Sequence, residues 1–274
     1  MHLVTTQYLP AKRLLFCSDL HLDWRPTEQF LATLQPHDYD LLLIAGDIGL
    51  GKDVHEKLAE ILAGIGKPIV SVLGNHDFYG SSFEKVNERM LKRFPLGNGW
   101  MIRLDGSQVL QLSSSAALIG VDGWGDGIAG YGLSSSAVMQ DWIDIRELRK
   151  ARREEKLFAY LRHLGCRSAQ QLESALTLTL KNFEQVLVLT HVPPFPEACL
   201  FAADHDRDNL LPFYCNTALG HLLRQAADHH PCQQITVLCG HTHHSAGCDI
   251  VPNLRVLVAA AEYGHPQPSR LLKI

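Results

Sequence analysis

The chain has 274 residues, of which 46% are apolar and 20% are charged, and its formal net charge at pH 7 is only -4. This length and apolar content suffice for a large core in one domain, and the nearly balanced charge argues against broad electrostatic capture of nucleic acid. The seven cysteines show no CxxC spacing, which favours reduced thiols over a disulfide framework or a thiolate zinc site.

The first third of the chain alternates short apolar runs with longer helical patterns. Strands and helices are predicted, in alternation, at residues 13–17, 27–34, 41–45, 54–63, 69–73 and 82–94. A βαβαβα succession of this kind predicts a parallel sheet.

The pattern changes after residue 100. Short strand-like runs separated by Gly and Ser are typical of a second sheet and occupy residues 101–104, 108–112 and 116–121. Residues 134–182 are helical and carry many charges of both signs, a mixture that favours a solvated helix face over a binding patch. Two further strands are predicted at residues 186–190 and 235–239, and the connection 192–214 between them contains four prolines. Connections of this length are usually functional or disordered.

Acidic, amide and histidine side chains directly follow five of the predicted strands. They are Asp19, His21, Asp47, Asn75, His76, His191, His241 and His243. The carboxyl ends of parallel strands meet at one edge of an open α/β sheet, so these residues can come together despite their separation in sequence. A single DxH or HxH triplet occurs by chance in many proteins. Recurrence after five strands predicts a site for two adjacent metal ions.

In chain order, these residues form the pattern DxH, GD, GNH[D/E], H and GHxH. The segments are Asp19-Leu20-His21, Gly46-Asp47, Gly74-Asn75-His76-Asp77, His191 and Gly240-His241-Thr242-His243. The pattern resembles that of the calcineurin-like metallophosphoesterase superfamily, and every element is present without substitution. The resemblance implies an α/β fold, a four-layer sandwich of two mixed β-sheets flanked by helices, with a dinuclear metal site on loops at one edge.

We expect this fold to occupy residues 1–274 as a single domain. The charged helical segment 134–182 and the long active-site connection 192–214 would be parts of it.

The resemblance also implies a set of metal ligands. The first ion would be bound by Asp19, His21 and His243, the second by Asn75, His191 and His241, and both by the bridging Asp47. A carboxylate suits the bridging position because its two oxygens can each bind one cation and its charge reduces their repulsion. The mixture of Asp, His and Asn donors suits Mn, Fe or Zn better than Ca or Mg.

Two residues are predicted to act in catalysis, Asp47 through the metals and His76 directly. The family's nucleophile is a metal-bridging water or hydroxide, so no serine or cysteine nucleophile is required. The resemblance places His76 over the substrate, where it stabilises phosphoryl charge or protonates the leaving oxygen. The alternative is that His76 only braces its loop, and Asp77 could orient the His76 ring or point away from it.

These features predict a metal-dependent phosphoric ester hydrolase that acts on a small phosphodiester or a nucleotide. Protein phosphatases of the superfamily carry GNHE, where this chain has Asp77, and arginine-bearing motifs after the bridging aspartate. The lipid pyrophosphatase branch typically has arginine in place of His76. The alternative function is a non-catalytic, metallophosphoesterase-like scaffold that binds proteins, and the presence or absence of two bound transition ions distinguishes the two.

Two segments are predicted to select the substrate, residues 122–126 and 193–214. Trp124 follows a strand-like run and would offer a stacking surface, while His205 and Phe213 lie on the connection that begins next to His191. The alternative is that the aromatic residues only anchor a surface loop to the core.

The sequence also limits the cellular context. Its apolar runs are far shorter than the roughly 18 residues of a membrane-spanning helix. Residues 1–6 lack the basic leader and apolar core of a secretory signal. We therefore expect a cytoplasmic protein without a membrane span and without a duplex nucleic-acid partner, while the oligomeric state stays open.

Overall fold

The structure is a computed structural model that describes residues 4–95, 100–153, 155–201 and 206–274. Two β-sheets pack face to face, and helices cover the outer face of each sheet. This arrangement confirms the predicted α/β sandwich of four layers.

The strands of the described chain are β1 (Thr5–Tyr8), β2 (Arg13–Cys17), β3 (Leu41–Ala45), β4 (Ile69–Val72), β5 (Met101–Arg103), β6 (Gln108–Gln111), β7 (Ala116–Gly120), β8 (Gln185–Leu189), β9 (Gln234–Cys239), β10 (Ala246–Val251), β11 (Leu254–Val258) and β12 (Arg270–Lys273). The α-helices are α1 (Thr27–Leu34), α2 (Val54–Ile65), α3 (Phe83–Arg93), α4 (Asp141–Asp144), α5 (Arg146–Arg153), α6 (Leu157–Asn182), α7 (Arg207–Tyr214) and α8 (Thr217–His229).

The smaller sheet has five strands in the order β12-β2-β3-β4-β5. The four strands β2 to β5 are parallel, as the βαβαβα pattern predicts, and β12 adds one antiparallel edge. Every residue of β3 is buried, which is typical of a parallel strand covered on both faces.

The larger sheet has seven strands in the order β1-β6-β7-β8-β9-β11-β10. Its centre, β7-β8-β9-β11, is parallel, whereas β6 pairs antiparallel with β7 and β10 pairs antiparallel with β11. The edge strand β1 is parallel to β6. Both sheets are therefore mixed. The parallel strands β8 and β9 end at the same side of the sandwich as β2, β3 and β4.

The apolar core lies in three layers. The central layer joins the two sheets and includes Leu43, Val72, Leu118 and Leu189. Helices α1, α2 and α3 pack on the smaller sheet, and α6 and α8 pack on the larger one. The strand ends are thus fixed by packing on both faces, which holds the loops that follow them.

The sequence does not predict strands β1, β10, β11 and β12. Strands β1, β10 and β12 are edge strands whose side chains are largely exposed or half-buried, so the apolar alternation that marks a strand is absent. Strand β11 is an inner, largely buried strand that the prediction missed although it is apolar. Within segment 134–182, the described residues form the helices α4, α5 and α6, which begin at Asp141. The connection 192–214 contains α7 and a short 3₁₀ helix (Pro196–Ala198). Within the described residues, no helix has the length and apolar character to cross a membrane.

Candidate metal centre

The ends of five parallel strands converge on one cluster of polar side chains. Asp19 and His21 follow β2, Asp47 follows β3, Asn75 follows β4, His191 follows β8, and His241 and His243 follow β9. Among the described residues, three overlapping groups have potential ligand atoms within 4.8 Å of one another: Asp19, His21 and His243; His21, Asp47 and His76; and Asp47, His191 and His241. The structure therefore brings together the side chains that the sequence predicts as ligands.

The first part of the cluster joins residues from the two ends of the chain. The Nε2 atom of His243 lies 3.3 Å from Asp19 Oδ1 and 3.2 Å from His21 Nε2. The backbone N–H of His241 donates to the Asp19 carboxylate at 3.0 Å, across 222 residues of sequence. The two sheets are thus connected at the cluster by a carboxylate from one and a backbone amide from the other.

In the second part of the cluster, backbone carbonyls determine which ring nitrogens carry protons. The Nδ1 atom of His191 lies 2.7 Å from the Ala45 carbonyl oxygen, and the Nε2 atom of His241 lies 3.3 Å from the Phe213 carbonyl oxygen. A carbonyl can only accept, so both of these nitrogens donate. The lone pairs of the neutral rings are therefore on His191 Nε2 and His241 Nδ1.

Those two lone pairs face each other and two oxygens. His191 Nε2 lies 3.1 Å from His241 Nδ1, 3.0 Å from Asn75 Oδ1 and 3.5 Å from Asp47 Oδ1. The Asn75 amide nitrogen donates elsewhere, so its oxygen is the atom that faces the rings. The two ring nitrogens and the Asn75 oxygen are acceptors with no proton between them, so they repel one another, and an ionised Asp47 adds to this repulsion. A bound cation removes it. The donor set thus fits a transition-metal ion.

The backbone at the cluster is strained. Five of the six non-glycine residues with positive φ in the described parts of the chain belong to it: Asp19 (56°), His21 (44°), Asp47 (54°), His241 (70°) and His243 (61°). A left-handed conformation costs a non-glycine residue about 1–2 kcal/mol. Strain of this kind persists where the surrounding structure imposes it and is concentrated at functional sites.

Two motif glycines allow the loops to approach each other. A Cβ atom on Gly74 would overlap Asp47 Oδ1 and would come within 2.7 Å of the His191 ring. A Cβ atom on Gly240 would overlap Ser18 Oγ and Asp19 Oδ2. At these positions of the GNH and GHxH motifs, any side chain would collide with its neighbours, so glycine is required.

Burial sets the protonation of the cluster. It lowers the pKa of His21 to about 3 and of His76 to about 4, and it also lowers the pKa of His191 and His241. These rings are neutral at pH 7, the form in which imidazole binds metal ions. Burial raises the pKa of Asp47, and the carboxylates of Asp19 and Asp77 raise it further. Bound cations would reverse that effect by stabilising the ionised carboxylate.

The Asp77 carboxylate braces two loops and does not contact the His76 ring. It accepts four backbone N–H groups, from Asp47 (2.9 Å), Ile48 (2.8 Å), Gly49 (3.0 Å) and Gly74 (2.9 Å). Burial raises the pKa of Asp77 to about 7, against the lowering effect of these donors. The loops after β3 and β4 are therefore held to one buried side chain.

We expect Asp77→Ala to lower the free energy of unfolding of the metal-free protein by about 3 kcal/mol or more, because it leaves buried N–H donors without a partner. Chemical denaturation in the presence of a chelator measures this. The matched control is Asp53→Ala, since that carboxylate accepts the single backbone N–H of Leu50 and its loss costs about 1 kcal/mol. Equal losses in the two variants would show that Asp77 is not the brace.

The His76 ring lies at the open side of the cluster. It stacks on Tyr79, with centroids 4.2 Å apart and planes at 26°, and its Nε2 lies 3.9 Å from Asp47 Oδ2. Its side chain keeps 20% of its surface exposed, whereas that of His191 is fully buried. His76 can therefore meet a ligand from solvent.

The sequence patterns missed three residues that position the cluster. Asp141 accepts from the Asn75 amide (2.8 Å) and the Tyr79 hydroxyl (2.6 Å), which turns the Asn75 oxygen toward His191. The Asp122 carboxylate accepts the backbone N–H of Leu73. The Asp122 backbone carbonyl accepts the backbone N–H of His191. Neither Asp141 nor Tyr79 lies in a recognisable motif. Only Asp122 could have been recognised from its position, because it directly follows a predicted strand, as the predicted ligands do.

The structure places the predicted substrate-binding aromatics differently from the expectation. Trp124 is 8% exposed and packs against Phe78 and Phe83, and Phe213 is 5% exposed and packs against Trp142. Rings buried in this way do not offer the expected stacking surface beside the cluster, and their packing anchors the two loops. The connection still borders the cluster, since the Tyr214 ring stacks on His241 with centroids 4.3 Å apart. His205 lies outside the described residues.

Trp124 faces a different part of the molecule. With Phe83, Met90 and Leu164 it lines a cavity of about 860 Å³ between α3 and α6, whose lining residues include none of the seven predicted metal ligands. Asp126, at the end of the same segment, accepts from Thr217 Oγ1 at 2.6 Å, at the start of α8. Segment 122–126 is therefore a structural junction.

Comparisons with known proteins agree with this architecture. Residues 12–245 match the sequence profile of a family described as calcineurin-like phosphoesterase. No curated protein matches the sequence. Among solved structures, the chain is similar to a phosphopantetheinyl hydrolase from Mycobacterium tuberculosis, with a TM-score of 0.58, 13% identity and 97% of each chain covered. It is also similar to a dimetal phosphatase from Danio rerio, with a TM-score of 0.60, 15% identity and coverage of 97% of this chain and 93% of that one. Similarity at such low identity shows the fold alone.

Proposed function

Since this chain belongs to the calcineurin-like phosphoesterase family, we propose that it hydrolyses a small phosphodiester or a nucleotide at a centre of two transition-metal ions. The observation that carries the proposal is the convergence of lone pairs on His191 Nε2, His241 Nδ1 and Asn75 Oδ1 at 3.0–3.1 Å. A bound cation would relieve the repulsion within such a group of acceptors.

We assign the ligands by the groups that lie together. Asp19, His21 and His243 would hold one ion, and Asn75, His191 and His241 would hold the other. Asp47 would serve both, because its oxygens face His191 on one side at 3.5 Å and His21 on the other at 3.9 Å. Its charge would reduce the repulsion between the two cations. The mixed nitrogen and oxygen donors favour Mn, Fe or Zn.

When bound, the ions would polarise the phosphoryl oxygens and lower the pKa of a water molecule toward about 7. The protein's own contribution is to hold the donors rigidly. The Ala45 and Phe213 carbonyls fix the tautomers of His191 and His241, and Asp141 fixes the Asn75 amide. Because these partners are already in place, little reorganisation is needed when the substrate binds.

His76 would act on the substrate. Its ring is neutral at pH 7 because burial lowers its pKa to about 4, so it carries one N–H that can donate to a phosphoryl oxygen. Binding of an anionic phosphoester beside it favours the protonated ring. The ring could then give its proton to the departing oxygen, the role of a general acid.

Metal removal tests the proposal. We expect the protein reconstituted with Mn, Fe or Zn to bind two ions per chain and to hydrolyse bis(p-nitrophenyl) phosphate, and the chelated protein to be inactive. We also expect each ion to stabilise the fold by about 4 kcal/mol when its free concentration is 1,000 times its dissociation constant, because the ion binds the folded chain and not the unfolded one.

Elemental analysis, calorimetric unfolding and a screen of phosphomonoesters, diesters and cyclic nucleotides measure the three effects. A reconstituted protein that binds no metal would contradict the proposal, as would one that binds two ions and hydrolyses none of these esters.

A further inference from the structure

Two exposed aromatic rings lie beside the cluster of predicted metal ligands. The Tyr263 ring has centroid distances of 4.4 Å to the ring of His21, 4.9 Å to that of His243 and 6.3 Å to that of His76. The Trp24 ring lies 5.9 Å from Tyr263. Tyr263 is 47% exposed and Trp24 is 64% exposed. Water-facing aromatic surface next to a polar site is typical of a ligand-binding position.

The two rings are held by connected loops. Trp24 lies on the loop after β2, and its backbone N–H donates to the His21 carbonyl at 3.0 Å. Tyr263 lies on the loop after β11. The Arg25 guanidinium joins the loops by donating from Nε to the Gly264 carbonyl at 3.2 Å. The rings are therefore placed by the same backbone that places a predicted ligand.

The exposed aromatic surface at this position consists of two planar rings inclined to each other by 52°. On the loop after β2, the aliphatic side chains of Leu20 and Leu22 are buried, so the large apolar side chain that remains exposed is the Trp24 ring. Indole and phenol rings stack well on other planar rings, with a contribution of about 1–3 kcal/mol for a nucleobase. Branched alkyl groups do not offer such a face.

We propose that Trp24 and Tyr263 bind a planar aromatic ring of the substrate, of the class to which nucleobases and aryl groups belong, next to its phosphate. The inference rests on the proposed hydrolase function and adds a substrate class to it. The ring would lie on the side of the cluster formed by His21 and His243.

Binding of product analogues to the metal-loaded protein tests the inference. Isothermal calorimetry compares AMP with ribose 5-phosphate, and phenyl phosphate with methyl phosphate, so that each pair differs by a ring. We expect the ring to tighten binding by about fivefold or more in at least one pair, and we expect Trp24→Ala and Tyr263→Ala each to reduce that ratio. Preference in the first pair indicates a nucleobase, and preference in the second indicates an aryl ester.

Trp100→Ala is the matched control, because Trp100 is 53% exposed but lies at the opposite ends of the strands, where its carbonyl accepts from Ile69 at the start of β4. It should leave both ratios unchanged. A protein that binds two ions and hydrolyses a diester, yet shows no preference for a ring in either pair, keeps the proposed function and overturns this inference. The inference is also overturned if the affinity ratio within each pair is the same in the wild type and in both ring variants. A protein that hydrolyses nothing overturns both.

Discussion

Asp47→Asn is expected to remove bound metal and hydrolytic activity together. The substitution keeps the size of the side chain. It also keeps an oxygen that can accept the backbone N–H of His76, which Asp47 Oδ1 accepts at 2.8 Å in the wild type. It removes the negative charge from between the two proposed cations and replaces one ligand oxygen by an amide nitrogen. We expect turnover to fall by about 10³-fold or more, beyond the 10–100-fold loss typical of groups outside the ligand set.

Elemental analysis and steady-state kinetics on the same preparation measure both effects. Asp40→Asn is the matched control, since Asp40 lies just before β3 while Asp47 follows it, and its carboxylate pairs with Arg13 far from the cluster. We expect the control to keep two ions and normal turnover. Retention of both metals and near-normal turnover by Asp47→Asn would exclude the bridging role.

His76→Gln is expected to separate metal binding from turnover. Glutamine preserves hydrogen bonding but cannot transfer a proton, so turnover should fall by about 10²–10⁴-fold while both ions stay bound. If His76 protonates the departing oxygen, the loss should be larger for an alkyl ester than for a p-nitrophenyl ester, because p-nitrophenolate leaves without a proton. Equal losses would limit His76 to stabilising phosphoryl charge.

His37→Gln serves as the control, because His37 is an exposed histidine after α1 and lies outside the cluster. Loss of metal from His76→Gln would overturn its assignment and make it a structural residue of the Asn75 loop. For both variants, metal content is measured first, and turnover on the alkyl and p-nitrophenyl esters is measured second.

Much of the fold and of the cluster could be predicted because both depend on local features. Buried parallel strands such as β3 are continuous apolar runs in the sequence, and polar residues directly after them must lie at the sheet edge. The edge strands β1, β10 and β12 were not predicted because their side chains are largely exposed or half-buried, so that backbone pairing defines them. Periodicity carries no information about such strands.

The surroundings of the cluster could not be predicted for a different reason. Asp141 accepts from Asn75, which is 66 positions away, and Tyr263 lies beside His21, near the other end of the chain. Nothing in the local sequence of either residue marks that role. Trp124 follows a strand-like run just as the ligands do, but its ring turns inward to Phe78 and Phe83. Position after a strand predicts where a residue lies, whereas the direction of its side chain depends on packing.

The separation of Asp19 from His241 and His243 also bears on when the centre can be assembled. At about 5–20 residues per second, a ribosome needs roughly 10 to 45 s to proceed from residue 19 to residue 243. For much of that interval the growing chain carries Asp19 and His21 while His241 and His243 are still missing. The proposed metal centre can therefore be completed only after translation has passed residue 243.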